Sequence, residues 1–173
     1  MADQVPPIFF NGMNFDFHSV KKIAEGSGVY YTPSGQDPNR ANDEIIINYL
    51  NAKDERGNPI TAQGMASAMV ANIKAHNANF VYPFAAPDPA HKEQMIYYVL
   101  SYSIFPQDGN GEIWRARVMQ RGERVIGLLI KHQVDGTGAG DIEAKIKAWM
   151  NESLQAEVPM VDAIPIPPEP PRG

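Results

Sequence analysis

The clearest hydrophobic pattern in the chain is an alternation of apolar and polar positions between residues 95 and 134. Three runs alternate in this way: Met95–Phe105, Glu112–Gln120 and Arg124–Val134. The segments that join them contain glycine and have the length of hairpin loops. Because successive side chains of a strand point to opposite faces of a sheet, the pattern predicts a three-stranded antiparallel meander.

The same alternation predicts which side chains of the meander face the core. Trp114, Ala116 and Val118 are expected to share the core face with Ile126, Leu128 and Ile130. Arg115 and Arg117 occupy the alternate positions, so they are predicted to point outward.

Shorter runs upstream predict further strands. Met13–Val20 and Gly28–Thr32 suit a hairpin, and Glu44–Leu50 is rich in the β-branched residues that strands favour. Asn79–Phe84 predicts another short strand, which the proline-rich region from Pro83 is expected to end.

Two helices are predicted, one between the strands Glu44–Leu50 and Asn79–Phe84 and one after the meander. Thr61 suits the N-cap of a helix that reaches about Asn77, with apolar residues at spacings of three and four. Asp141 suits the N-cap of a second helix, whose apolar positions are Ile142, Ile146, Trp149 and Met150. Together these elements predict an α+β fold, in which an antiparallel sheet with a C-terminal three-strand meander is packed by two amphipathic helices as an α/β/α sandwich.

The domain organisation follows from length and from proline content. A chain of 173 residues is long enough for one domain with a sizeable core. Residues 1–12 form an N-terminal lead, and residues 13–157 form the single domain. Residues 158–173 contain six prolines and are predicted to be a disordered tail.

Charge and composition narrow the classes of partner. The formal net charge of −5 argues against nucleic acid, since phosphate binding needs clustered lysine and arginine. No apolar run reaches the roughly 20 residues that a membrane span requires. The absence of cysteine removes disulfides and thiolate chemistry, and it favours a periplasmic or secreted location over a cytoplasmic one.

Candidate metal ligands are few. Asp88, His91 and Glu93 form the best local set for a divalent cation, although a solvated loop is the favoured interpretation of these residues. Together with His132 they define the alternative function of a small hydrolase or metal-dependent enzyme. Two acidic loops, one with Asp37, Asp43 and Glu44 and one at residues 108–112, could make the chain a cation-binding module instead.

Other sequence motifs give weaker support for a function. The glycine-rich stretch at residues 136–141 resembles a phosphate-binding loop but has no strand after its helix, so a flexible connection is the simpler interpretation. No Gly-x-Ser-x-Gly turn supplies a nucleophile, and no catalytic residue is assigned. Residues 167–172 fit a Pro-x-x-Pro-x-Arg pattern of the kind that SH3 domains bind, although a linker explains them too.

A protein-binding surface is the favoured functional hypothesis. Tyr97 with the outward-facing Arg115 and Arg117 is the best candidate, since tyrosine and arginine are enriched at interfaces. The sequence therefore favours a non-catalytic accessory domain that docks onto a protein partner or a larger assembly, with no cofactor.

The order of predicted elements resembles the PsbP and Mog family of α/β/α sandwiches over roughly Met13 to Leu154. The resemblance also lies in the stretches Gly28-Val29-Tyr30-Tyr31-Thr32-Pro33 and Asp43-Glu44-Ile45-Ile46-Ile47-Asn48. It implies a non-catalytic domain that docks onto a larger assembly, as family members do with photosystem II or with a small GTPase. It assigns no functional residue to this sequence.

Overall fold

Eight antiparallel strands form one sheet in the described part of the chain. The computed structural model describes residues 5–76, 79–105, 109–135, 142, 144–148, 151, 162 and 164–170. In chain order the elements are β1 (Ile8–Phe10), β2 (Met13–Ile23), β3 (Gly26–Pro33), β4 (Asp43–Asn51), α1 (Ala62–Ala75), β5 (Phe80–Pro87), β6 (Met95–Ile104), β7 (Gly111–Arg121) and β8 (Arg124–Val134). Residues 142, 144–148 and 151 are helical as well.

The sheet consists of two four-stranded meanders joined through their last strands. Its strand order is β1-β2-β3-β4-β8-β7-β6-β5, and every neighbouring pair is antiparallel. At the centre β4 pairs with β8 along its whole length, from Asp43 opposite His132 to Asn51 opposite Arg124. The helix α1 connects the first meander to the second.

The sheet is curled into a half-barrel. Five strand spacings separate β1 from β7, which would be about 24 Å in a flat sheet. Instead the guanidinium carbon of Arg115 on β7 lies 5.4 Å from the ring centre of Phe10 on β1. The concave side, called the inner face below, therefore closes on itself, and the opposite side is called the outer face.

Each face of the sheet has its own core. The inner-face core is formed by buried side chains from β1 to β4, from β6 to β8 and from the C-terminal residues: Ile8, Phe10, Phe15, Val29, Tyr31, Ile45, Ile47, Tyr49, Ile96, Tyr98, Met119, Ile126, Leu128, Ile130 and Ile164. On the outer face Ala62 and Ala66 of α1 pack against Val99, Ala116, Val118 and Val125. Gly127 permits this approach, because a Cβ there would lie 2.4 Å from the Cε of Met65.

The predicted α+β fold, an α/β/α sandwich with two amphipathic helices, is wrong. The described residues are mostly β, and the two helices among them are small. The error arose because β1 was assigned to the N-terminal lead, and β2 and β5 were predicted too short, so the strand content was underestimated. Neither helix is long enough to form a layer, and the curl of the sheet covers much of the inner face in place of one.

The antiparallel meander is confirmed, with β6, β7 and β8 within one or two residues of the predicted bounds. Thr61 is the N-cap of α1, where its Oγ1 accepts a hydrogen bond of 3.0 Å from the amide of Gly64. The strand β5 was expected to end at the first proline but runs through Pro83 to Pro87. An edge strand tolerates proline because one side of its backbone has no partner strand.

The second predicted helix is only partly described. Ile142 and Ile146 are buried and pack against Leu100, Tyr102 and Ile113 on the inner side of β6 and β7. Asp141, Trp149 and Met150 lie outside the described residues, as does the glycine-rich stretch 136–140.

The proline-rich C-terminal residues are packed where the structure describes them. Residues 162 and 164–170 are called the C-terminal segment below. Ile164 is 3% exposed, and Ile166 is partly buried against the same core. This part of the sequence-predicted tail therefore contacts the sheet, while the proposed boundaries of lead, domain and tail stay a prediction.

Within the described ranges, no helix combines the length and apolar content needed to cross a bilayer.

Gly26 should be the glycine least tolerant of substitution in the first meander. A Cβ at this position would lie 1.9 Å from the backbone oxygen of Tyr49, so the β3–β4 pairing would have to move. We expect Gly26→Ala to lower the free energy of unfolding by about 2 kcal/mol, as overpacked sites do. Urea denaturation measures this loss.

Gly28→Ala is the matched control on the same strand. Its Cβ would meet the side-chain oxygen of Asn48 at 3.0 Å, and a side chain moves more easily than backbone. Equal losses in the two variants would contradict the backbone explanation.

Candidate binding site

The structure reverses the predicted orientation of two candidate partner-binding residues. Arg115 and Arg117 were expected to point outward, but they are 6% and 4% exposed and lie on the inner face. Their neighbours Ala116 and Val118 lie on the outer face beneath α1. β7 is buried on both faces, so alternation alone did not identify the solvent side.

Tyr97, the third candidate, is on the opposite side of the sheet from the two arginines. It packs against the outer-face core and lines a groove of about 370 Å³ between α1 and β5. The three residues therefore do not form one surface, and a partner-binding role for any of them stays a prediction.

Arg117 instead joins the inner face to the C-terminal segment. Its Nη1 lies 3.3 Å from the Oδ1 of Asp162, and its Nη2 donates a 3.1 Å hydrogen bond to the carbonyl of Ile164. The hydroxyl of Tyr98 donates to the same carboxylate at 2.8 Å. Burial lowers the pKa of Arg117, and the hydrogen bond and charge of Asp162 oppose that shift. The segment thus supplies the counter-charge of a buried cation.

The same segment is held again near its other end. The Tyr49 hydroxyl donates a 2.6 Å hydrogen bond to the carbonyl of Pro167. Glu169 accepts from the Nε of Arg124 at 2.9 Å and from the Ser27 hydroxyl at 3.0 Å. Since these partners belong to β3, β4 and β8, while Tyr98 and Arg117 belong to β6 and β7, the segment crosses five strands of the inner face.

Two tyrosines act as hydrogen-bond donors in this arrangement. Burial raises the pKa of Tyr49, and the neighbouring Tyr31 and Glu169 raise it further. Burial also raises the pKa of Tyr98, as do its hydrogen bond to Asp162 and the charge there. Both phenols therefore stay protonated at neutral pH and donate to the segment.

A cleft of about 500 Å³ remains between the segment and the sheet. Three arginines, Arg117, Arg121 and Arg124, contribute to its lining, together with Asp162 and Glu169 of the segment. The whole chain is acidic, so this concentration of positive charge on the inner face is local.

The predicted metal ligands do not converge. Asp88 is buried and pairs with Arg121, and its Oδ1 accepts from the amide of Ala90 at 2.9 Å. His91 and Glu93 are exposed on the loop that follows. In the ranges that the structure describes, no three His, Asp or Glu side chains are grouped so that they could hold a metal ion.

The acidic residues of the first predicted cation-binding loop each contact a basic side chain. Asp43 lies 2.7 Å from the Nδ1 of His132, and Glu44 lies 2.9 Å from the Nζ of Lys131. Asp37 lies beside Arg40 instead. The other acidic loop begins at Asp108, which lies outside the described residues.

A row of aromatic side chains lines the inner face at the β5 edge. It is called the aromatic edge below and consists of Phe80, Tyr82, Phe84, Tyr98 and Tyr102. Successive ring centres are 4.7 to 6.4 Å apart, and three of these pairs are stacked. Tyr82 remains 51% exposed and Phe80 39%.

Sequence reasoning missed the residues that hold the C-terminal segment. Tyr49, Arg124 and Glu169 are far apart in the chain, so no local motif joins them. The one usable signal was the alternation of Ile164 and Ile166 with prolines, which is typical of an extended segment with one buried side.

No model of a known protein family matches the chain, and no curated protein matches it. The resemblance to the PsbP and Mog family therefore stays a prediction.

Asp88 should make folding stability sensitive to acid. Its burial alone would raise the pKa of the carboxyl, but the hydrogen bonds from Arg121 and Ala90 and the nearby positive charges outweigh burial and lower it. The ionised form thus favours the folded state. Its contribution is complete above the unfolded pKa of about 4 and is lost as pH falls through the lower folded-state value.

We expect Asp88→Asn to be less stable than the wild type at pH 7 and to lose less stability between pH 5 and pH 2. Urea unfolding at several pH values measures both quantities. Asp16→Asn, at an exposed position on β2, is the control and should follow the wild type. Parallel pH curves for Asp88→Asn and the wild type would contradict the pairing.

Proposed function

We propose that the chain is a non-catalytic accessory domain that docks onto a protein partner, and that the aromatic edge is part of the docking surface. The observation that supports this is the exposure of Tyr82 and Phe80 at the end of a stacked aromatic row. Large aromatic side chains are costly to leave in water and contribute strongly to interfaces.

The rigidity of the row favours the same interpretation. Phe84 stacks on Tyr98 at 4.7 Å, and Phe80 stacks on Tyr102 at 5.6 Å. Side chains already fixed by stacking lose little further entropy when a partner binds.

The partner is expected to contact side chains of β5 rather than to extend the sheet. An edge strand with free backbone groups invites another strand, and proline removes the amide donor that such pairing needs. Pro83 and Pro87 interrupt the donors of β5. A protein surface or segment that packs on the rings of the inner face is therefore the proposed mode.

The net charge of −5 disfavours a nucleic-acid partner. A periplasmic or secreted location, which the absence of cysteine favours, belongs to the same proposal.

Removal of the exposed rings should weaken partner capture. We expect Phe80→Ser combined with Tyr82→Ser to reduce the amount of co-purified partner at least about tenfold, as loss of a hot spot does. The measurement is quantitative mass spectrometry of proteins captured by the immobilised chain from an extract of the organism that encodes it.

Phe9→Ser is the matched control, because Phe9 is 66% exposed at the opposite edge of the sheet. It should leave capture unchanged. Circular dichroism checks that all variants are folded. A partner that is retained by the double variant and lost from Phe9→Ser would place the docking surface at β1 and overturn the proposal.

A further inference from the structure

The C-terminal segment lies on the inner face as an extended peptide lies in a receptor groove. We infer that the inner face is a binding site for an extended acidic segment of a partner protein, and that the chain's own C-terminal segment occupies this site until it is displaced. The inference rests on the proposed function, protein docking, and names the chemistry of the docked segment.

The first argument is that the contacts do not depend on a covalent connection between segment and sheet. Tyr49 and Arg117 donate to the main-chain carbonyls of Pro167 and Ile164. A segment from another chain offers the same carbonyl groups. Contacts of this kind give affinity to any extended peptide of suitable length, and side-chain contacts then select among sequences.

The second argument is charge complementarity. Arg117, Arg121 and Arg124 line the cleft, and on the sheet side Arg121 is paired with Asp88. The carboxylates that face Arg117 and Arg124 come from the segment itself, through Asp162 and Glu169. An occupant without carboxylates would leave the buried guanidinium of Arg117 without a counter-charge, which is strongly unfavourable. The partner segment must therefore be acidic.

The third argument is shape. The two carboxylates are seven positions apart, with Asp162 in a helical conformation and residues 164–170 in neither helix nor strand. Between them Ile164 and Ile166 turn toward the inner-face core, and prolines alternate with them. The site thus selects an extended segment with two alternating aliphatic side chains between two acidic residues. Proline lowers the entropy cost of the extended form.

The fourth argument is that the present occupant fits loosely. A cleft of about 500 Å³ stays open beneath the segment, and the side chain of Asp162 is 40% exposed. A partner with larger side chains would fill space that the segment leaves empty. An occupant that leaves part of its site unfilled is suited to exchange.

The test uses the full chain with Glu169→Gln, which weakens the occupant without changing the site. The probe is a fluorescently labelled synthetic peptide with the sequence of residues 161–170. We expect the peptide to bind Glu169→Gln about tenfold more tightly than the wild type, as measured by fluorescence polarisation. The reason is that the substitution removes a hydrogen-bonded charge pair only from the chain's own C-terminal segment, which competes with the peptide for the site.

Adding Arg124→Gln to Glu169→Gln tests the site itself. The native peptide should then bind about tenfold more weakly, whereas a peptide with glutamine at position 169 should bind both proteins equally. This pattern assigns the lost affinity to the contact between Arg124 and the peptide carboxylate. A segment that is only a structural strap predicts no binding in any of these combinations.

Two results would overturn the inference. One is the absence of saturable binding to folded Glu169→Gln with peptide up to about 1 mM, the range of effective concentration of a tethered segment. The other is unfolding of both Glu169→Gln and a second weakening variant, Ile166→Ser, because an occupant that the fold requires is not exchangeable. The peptide measurement does not require the natural partner. A failure of the peptide to bind is therefore distinguishable from a failure to capture a partner protein.

Discussion

Burial of Arg117 on the inner face is the constraint on which the arrangement of the C-terminal segment depends. The residue is almost completely removed from solvent, and a buried guanidinium costs several kcal/mol in lost hydration unless it is paired. The Asp162 carboxylate and the Ile164 carbonyl bind its two terminal nitrogens, while its Nε has no hydrogen-bond partner among the described residues. Because both groups belong to the segment, the charge that β7 places inside the sheet determines where the segment must lie.

The curl of the sheet covers side chains that α1 alone cannot cover. The central strands β4, β7 and β8 bury side chains on the inner face, and β7 and β8 also bury them on the outer face. A helix of 14 residues is about 21 Å long, so α1 covers only part of one face. The inner face is closed by its own curvature, which brings Phe10 onto Arg115, and by the segment. The arginines are thus enclosed where a flat sheet would have left them in water.

Local patterns predicted the parts of this fold that local physics determines. The meander of β6 to β8 follows from alternation and glycine turns, and Thr61 caps α1 as a hydroxyl at an N-cap should. Local patterns did not predict which side chains of β7 lie on the inner face and which on the outer face. Its inner series contains Ile113 and Met119 but also arginines, and Arg115 and Arg117 were interpreted as marking the solvent side.

The functional site depends on contacts between distant parts of the chain, which periodicity does not encode. Tyr49 and Pro167 are 118 positions apart, and Arg121 and Asp88 are 33 apart. The proline-rich composition of the C-terminal residues predicted a disordered tail, whereas Ile164 and Ile166 pack against the sheet. Whether an extended segment is solvated or packed depends on the surface available to it, and that surface exists only after the sheet has curled.

The two ends of the C-terminal segment are held by ion pairs whose arginines differ in burial. This difference determines which end of the segment would be released first. At the first end Arg117 is deeply buried, so the departure of Asp162, whose side chain is 40% exposed, would leave a buried cation without a counter-charge. At the other end Arg124 and Glu169 are both partly exposed, so ions and water compete with them directly. Tyr98 at Asp162 and Tyr49 at Pro167 donate as protonated phenols, since their ordinary pKa of about 10 already lies above neutral pH and burial raises it further. Release should therefore begin at Glu169, and a competing acidic segment would first meet Arg124 before it replaces Asp162 at Arg117.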